Sequence, residues 1–297
     1  MSADVIARTT STRAPSPRAR AAKRMLQRLP ALLVIAFVLV VVLYPLLWLV
    51  LGSFKTQPEF LSEPFWSLPQ QWNFDNYTEA FVEGGLGRYI LNSAIATLPS
   101  LGIQLIFGLG AAFALEIMVW KGRGTVLLMF LAGIMIPVQM ILLPLFTIYF
   151  NLHLTGTRWP LIITYVAMGL PLTVFMMATY MRAIPREMFE AAELDGAGVY
   201  RQFWYFAVPL VRNAIFTVGL VQFFFIWNDL LVAMTFVQSS ELRTIQVGLL
   251  NFTGEYGAVS YGPMFAGIAV NVIGTLIIYL FLNQKVMKGL AAGAVKG

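Results

Sequence analysis

Cysteine is absent from the 297 residues, and histidine occurs once, at His153. Disulfides, thiolate metal sites and histidine clusters are therefore excluded. Charge is scarce: only 11% of residues are Asp, Glu, Lys or Arg, against roughly 25% in an ordinary soluble domain. With 59% of its residues hydrophobic, the chain calls for a bilayer rather than water as its main solvent. No Gly-x-x-x-x-Gly-Lys-Ser/Thr stretch occurs, so this chain has no phosphate-cradling loop of that type. The convergent histidines, paired carboxylates or nucleophile and base of a membrane-embedded enzyme are not visible. An ion-coupled secondary transporter would bury several ionisable residues along its path. Only Asp229 sits inside an apolar run, with Glu116 close to the end of another.

A membrane helix needs about 20 mostly apolar residues. Six stretches meet that need: Leu32 to Leu51, Tyr89 to Leu115, the run between Arg123 and His153, that between Arg158 and Arg182, Asn213 to about Val237, and that between Glu255 and Lys285. The expected fold class is all-α, a polytopic membrane protein with six transmembrane helices. Six spans put both termini on one side. Sixteen of the twenty basic residues fall in the connections of that side and four in the others, so the positive-inside rule predicts cytoplasmic termini. The net charge of +6 is thereby assigned to a membrane surface, and no nucleic acid is expected. Residues 1–29 are too basic and Pro- and Ser-rich for a core, and the apolar run after them is too long for a secretory signal. They are expected to form a disordered arm near anionic headgroups, with 30–297 as the spanning domain.

One cytoplasmic connection, 184–212, is neither apolar nor low in complexity. Pro185 suits a first helical turn, Glu187 and Glu190 suit its positive end, and Met188, Ala191 and Ala192 form an apolar stripe. Gly196 is a stop, and Val199 to Val208 forms a second amphipathic run before Pro209. The pattern predicts helix, tight turn, helix at the membrane surface. Two roles fit: an interfacial pair anchored by Tyr200, Phe203 and Trp204, or a docking knob. In the second, Ala191, Ala192 and Gly196 admit a partner's backbone, and Glu190, Glu193 and Asp195 supply charge.

Glu190-Ala191-Ala192, Asp195-Gly196-Ala197 and Val208-Pro209-Leu210 together resemble the EAA loop of ABC importer permeases, with Val208 where isoleucine is more usual. Ser53-Phe54-Lys55, Phe74-Asp75-Asn76-Tyr77, Trp227-Asn228-Asp229 and the terminal Gly293-Ala294-Val295-Lys296-Gly297 narrow the resemblance to the MalG-like permeases of carbohydrate importers. The resemblance implies the MetI-like fold and a transmembrane subunit that carries a sugar, expected to be an oligosaccharide. It implies ATPase coupling through Glu190, Ala191, Ala192, Asp195, Gly196, Ala197 and Pro209, and a tail, residues 293–297, reaching toward the ATPase. The implied partners are a second homologous permease, two copies of a cytoplasmic ATPase subunit and an extracytoplasmic sugar-binding protein. ATP and Mg would be used by the ATPase, and no cofactor by this chain. A glycerol phosphate or polyol is the alternative cargo.

Sugars present hydroxyls to amides and carboxylates, and C–H faces to aromatic rings. Gln139, Gln222, Trp227, Asn228, Asp229 and Asn271 lie in apolar runs and are the candidate pathway residues. Interhelical hydrogen bonding is the commoner reason for any one such amide, and Trp227-Asn228-Asp229 reads first as a structural or partner-facing group. Pro137, Pro144 and Pro171 are candidate kinks. The segments 55–88, acidic on balance, and 238–262 are expected outside, either as caps over helix ends or, by the resemblance, in contact with the binding protein.

Overall fold

A computed structural model describes residues 17–252 and 259–294, with side chains for 28–252 and 259–282. Helix α1 runs Pro17–Gly52. Pro17 takes the first position, where its missing N–H costs nothing, and Ala21, Ala22, Lys23, Leu26 and Gln27 are strong helix formers. The expected disorder of residues 1–29 is thus corrected from Pro17 onward, where the helix of the first span already runs; residues 1–16 lie outside the described residues. Chain contacts divide the protein into two compact units, Met1–Leu51 and Gly52–Gly297.

The second unit opens with two short helices, α2 (Gln57–Ser62) and α3 (Asp75–Val82), followed by the long α4 (Leu86–Glu116). Next come α5 (Arg123–Ile134), α6 (Val138–Asn151), α7 (Trp159–Arg182), α8 (Glu187–Leu194), α9 (Val199–Gln202), α10 (Val208–Leu210) and α11 (Arg212–Trp227). The chain ends in α12 (Leu231–Phe236), α13 (Ile245–Gly248) and α14 (Tyr261–Ala294). No strand occurs among the described residues. Four helices are long and apolar enough to cross a membrane: Arg28–Gly52, α4, α7 and Tyr261–Leu282. The remaining two expected spans are broken.

The third span bends by 96° between α5 and α6. Pro137, extended at ψ 127°, has no N–H to give to the preceding turn. Pro144 and Pro171 stay inside α6 and α7. The fifth span, expected as one helix from Asn213 to about Val237, instead stops at Trp227 and restarts at Leu231. It also meets the helical run before it at 73°. At the far end, α14 continues through Gly293 and Ala294, so the first two residues of the expected tail are helical. Val295, Lys296 and Gly297 lie outside the described residues, as does Glu255.

Helices α4 and α7 run parallel and form the centre of the bundle. Their approach relies on glycine: a Cβ on Gly108 would overlap Thr173, and one on Gly169 would overlap the Gln104 amide. Small residues serve this purpose between membrane helices, where backbone proximity replaces the hydrophobic drive available in water. Helix α11 packs antiparallel along α7, and α14 along α11, where the Trp227 indole N–H donates to Asn271 Oδ1 at 3.0 Å.

The connections that charge sorts into two groups are also sorted in space. At one end, Arg182 forms a two-pronged ion pair with Glu116, at 2.6 and 3.2 Å. At the other, Arg158 donates to Asn92 Oδ1 at 2.8 Å, and Asn92 donates to the carbonyls of Glu241 and Arg243 at 2.7 and 3.0 Å. Asn76 Nδ2 is spent on the carbonyls of Ser53 and Lys55, and Gly262 leaves room for that amide. The 55–88 segment is therefore a folded cap.

Glu59 organises that cap. Its carboxylate accepts from Thr56 N–H at 2.6 Å, Thr56 Oγ1 at 3.0 Å, Gln70 N–H at 2.7 Å and Gln71 N–H at 3.4 Å. Burial raises its pKa, but these donors outweigh burial and hold the carboxyl below its ordinary value. The ionised form is thus favoured by the fold. Its stabilisation is complete above the unfolded pKa of about 4.3 and is lost as pH falls through the lower folded value. Thermal unfolding of the detergent-solubilised protein between about pH 3 and 6 should show a steeper acid loss for wild type than for Glu59→Gln. Equal slopes would remove Glu59 from this role.

Candidate functional site

The 184–212 connection folds as a compact knuckle. Helix α8 ends at Leu194 with Asp195 as its cap, and Gly196 turns the chain in the left-handed region at φ +80°. The Ala197 N–H then bonds the Ala192 carbonyl, and the Gly196 N–H the Glu193 carbonyl, both at 2.9 Å. This is a Schellman closure, in which the left-handed residue lets the last helical carbonyls find donors. Gln202, buried on α9, donates Nε2 to the Ala197 carbonyl at 2.9 Å and ties the second helix back to the turn. The second run is not a plain α-helix. Phe203–Ala207 adopts π geometry ahead of Pro209, whose missing N–H leaves the Tyr205 carbonyl without its helical donor.

The inward face differs from the expected stripe by one position. Phe189 and Ala192 point into the bundle, whereas Met188 and Ala191 are exposed. Of the residues expected to meet a partner, Glu190, Ala191, Asp195, Gly196 and Pro209 are exposed, but Ala192 and Ala197 are only 4% and 7% exposed. Those two are packed under the turn in this chain. Their small size suits a turn that folds over them. The outward position missing from the sequence expectation is Leu194, 90% exposed beside the turn.

What fastens the knuckle is aromatic. Phe113, near the end of α4, lies edge-on to Phe189 at 6.1 Å and to Phe203 at 5.3 Å. Around this wedge, Met177 and Met181 of α7, Ala207, and Ala214 and Val218 of α11 form one buried cluster. Between the knuckle and the chain after α4 runs a groove of about 620 Å³, bordered by Ile117, Val119, Arg186, Glu190 and Gly198.

The second concave feature lies at the α5–α6 break, against α7 and α11. This cavity of about 540 Å³ is lined by Gln104, Tyr165, Gln222 and Asp229, with apolar residues such as Ile136, Met168 and Phe225. It gathers two of the six candidate pathway residues. Gln222 donates Nε2 to the Gly169 carbonyl and to Thr173 Oγ1, both at 2.9 Å. Asp229 accepts from Tyr165 Oη at 2.9 Å and from the Ala233 N–H at 3.1 Å, the latter capping α12.

The other four lie away from the cavity lining. Trp227 donates its indole N–H to Asn271 Oδ1 between helices. Asn228 donates to the Phe224 carbonyl at 3.1 Å and accepts from Gln246. Gln139 is exposed on α6. Gln104 and Tyr165 are lining residues that the sequence expectation misses, although Gln104 is a glutamine deep in an apolar run and meets the same criterion as Gln222.

A model of the family described as "binding-protein-dependent transport system inner membrane component" matches residues 104–286, well over half of the chain. The diacetylchitobiose uptake system permease protein NgcG of Streptomyces coelicolor is 33% identical over 258 residues, covering 86% of this chain and 85% of the relative. The chain belongs to this permease family. In solved structures the fold recurs in a bacterial ABC transporter involved in import of the acidic polysaccharide alginate. The TM-score is 0.76 at 22% identity, over 92% of this chain and 99% of that one. A second alginate transporter chain, in complex with an alginate pentasaccharide-bound periplasmic protein, gives 0.65 at 17% identity, over 89% and 95%.

The permease is thus an integral inner-membrane protein with the ABC importer permease fold, and the family match takes in the knuckle, its aromatic fastening and the cavity. A Cβ on Gly196 would meet nothing within 4 Å, so substitution there tests backbone strain alone. Gly196→Ala should cost about 1–2 kcal/mol of stability and Gly196→Asn distinctly less, because asparagine tolerates the left-handed region. Chemical or thermal unfolding of the permease measures this, and equal losses for the two variants would contradict the assignment.

Proposed function

We propose that this permease is the membrane-crossing subunit of an ATP-driven, binding-protein-dependent sugar importer. In this role α8 and its turn dock in a separate cytoplasmic ATPase. Family membership supports importer function, and the uptake system of the Streptomyces relative supports a sugar as cargo. The absence of a P-loop from the sequence supports ATP and Mg being used by the partner rather than by this chain. Both termini are cytoplasmic in this account, on the strength of the basic-residue asymmetry. A second homologous permease, two ATPase copies and an extracytoplasmic binding protein complete the assembly. The alginate transporter's complex with a periplasmic protein is the parallel for the last.

One observation carries the coupling role. The knuckle holds Leu194 90% exposed to solvent while its opposite face is locked to three spans through Phe189 and Phe113. A large apolar side chain so presented on a rigid support is the form of an interface anchor. Glu190, Asp195 and the neighbouring Glu193 set an acidic rim around it, which favours a basic cleft in the partner. An ATPase can drive the permease only through contacts that differ between its open and closed states, and this knuckle offers them without deforming.

Leu194→Asp leaves the interior untouched and removes the anchor. Loss of a central apolar anchor is worth about 2 kcal/mol or more, roughly thirtyfold in affinity. Sugar uptake by cells relying on this importer should fall at least tenfold, with ATPase co-purification lost and the permease's membrane level unchanged. Wild-type uptake and co-purification would refute the docking role.

A further inference from the structure

We infer that the second arm of the knuckle, Val199–Leu210, is a binding surface for anionic phospholipid headgroups, formed by Arg201, Trp204, Tyr205 and the adjoining Arg212. It lies on the other arm from the α8 docking surface proposed above and stands or falls apart from it.

The direction of the arm is the first ground. Helix α11 packs along α7, which is long and apolar enough to cross a membrane, and the arm meets α11 at 73°. With α11 in the bilayer, the arm runs closer to the membrane plane than to its normal. The two join at Val211 and Arg212, at the end of the bundle where Arg182 of α7 pairs with Glu116 of α4. Charged side chains at the ends of apolar helices belong at the level of the headgroups.

The two sides of the arm are the second ground. Gln202, Ala207 and Val211 are buried against the bundle, and Phe203 is caught edge-on by Phe113 at 5.3 Å. Outward stand Arg201 and Arg212, both exposed, with Trp204 57% and Tyr205 75% exposed between them. Aromatic rings with a polar edge, set beside cations, are the composition of a helix that lies in the headgroup layer. Of the three aromatic residues expected to anchor an interfacial pair, Phe203 is thus spent on the bundle, and Tyr205 takes the outward place. Trp204 lies edge-on to Phe203 at 4.9 Å, so the outward indole is tied to the same aromatic wedge that fastens the knuckle.

Charge is the third ground, and it selects the ligand. The two arms of the knuckle carry opposite signs. Helix α8 holds Glu187, Glu190 and Glu193, with Asp195 at its cap, whereas no Asp or Glu lies between Asp195 and Asp229. Neither Arg201 nor Arg212 makes an ion pair or a side-chain hydrogen bond among the described residues. A basic cleft that suits α8 would repel this arm, so one protein surface does not serve both. Anionic headgroups supply the missing counter-charge, and a guanidinium binds their phosphate with two parallel hydrogen bonds. Each basic residue at such a surface is worth about fivefold in attraction.

The test places a photoreactive probe on the arm in the full complex with its natural partners, reconstituted in nanodiscs of equal phosphatidylglycerol and phosphatidylcholine. Tyr205→p-benzoylphenylalanine reports what touches the arm, and Leu194→p-benzoylphenylalanine what touches the α8 turn, with mass spectrometry identifying each adduct. The inference predicts lipid adducts at Tyr205, with phosphatidylglycerol at least about fivefold over phosphatidylcholine, and none at Leu194. Adding Arg201→Gln and Arg212→Gln to the Tyr205 probe should bring that preference below about twofold.

A Tyr205 probe that captures the ATPase or the second permease in place of lipid overturns the inference, as does one that captures nothing. Lipid adducts of equal yield at both probes overturn it as well. Equal adducts with the two lipids overturn the anionic preference, and an unchanged preference in the Arg201→Gln, Arg212→Gln chain removes the two arginines from the site. A Leu194 probe that captures no ATPase brings down the docking role and leaves the lipid surface standing. Should the chain with both arginine substitutions fail to assemble, the headgroup preference measured with both arginines present decides.

Discussion

The wedge of Phe113 between Phe189 and Phe203 is the contact on which the rest of the knuckle's behaviour depends. A surface helix of eight residues is far too short to hold its shape unaided. Here α8 is closed at one end by the Schellman turn and pinned underneath by a side chain that belongs to a spanning helix. Edge-on aromatic pairs contribute about 0.5–1.5 kcal/mol each beyond the area they bury. Packed interiors are also bistable rather than soft, so a push on the knuckle displaces α4, α7 and α11 together.

The opposite arrangement holds around the cavity, where helices are interrupted. Two of the six expected spans are broken, one at Pro137 and one at Asn228 to Leu230, and both breaks border the same cavity region. Irregular backbone in a membrane protein is tolerated where it is buried or lines a polar space. Asp229 illustrates the economy of the arrangement: it caps α12, fixes Tyr165, and offers a carboxylate to the cavity.

Much of this is legible in the residues. Basic residues sort the connections into two groups, and the Glu116–Arg182 and Asn92–Arg158 contacts sort them in space. Gly196 announces a left-handed turn because few other residues adopt that backbone cheaply, and it has one. The misreadings have local causes. Met188, Ala191 and Ala192 look like an apolar stripe, but Phe189 is larger and takes the buried position, shifting the face by one residue. Small size alone does not tell an outward alanine from one under a turn: Ala191 is exposed, while Ala192 and Ala197 are buried. A proline in an apolar run marks a kink only when the chain around it can leave the helix: Pro137 does, while Pro144 and Pro171 do not. Residue type flags polar positions in spans, and type does not reveal whether a partner such as Asn271 waits for Trp227. The π segment at Phe203–Ala207 and the unpaired oxygen of Gln104 have no signature in composition; both arise from the packing of distant segments.

The central claim is that force passes from the knuckle into the spans through Phe113. Its most direct measurement is the ratio of sugar transported to ATP hydrolysed by the reconstituted complex carrying Phe113→Ala, alongside a check that the ATPase still co-purifies. The account predicts an assembled complex that hydrolyses ATP but moves several-fold less sugar per ATP, because the knuckle yields before the spans do. An assembled Phe113→Ala complex with an unchanged transport ratio would contradict it.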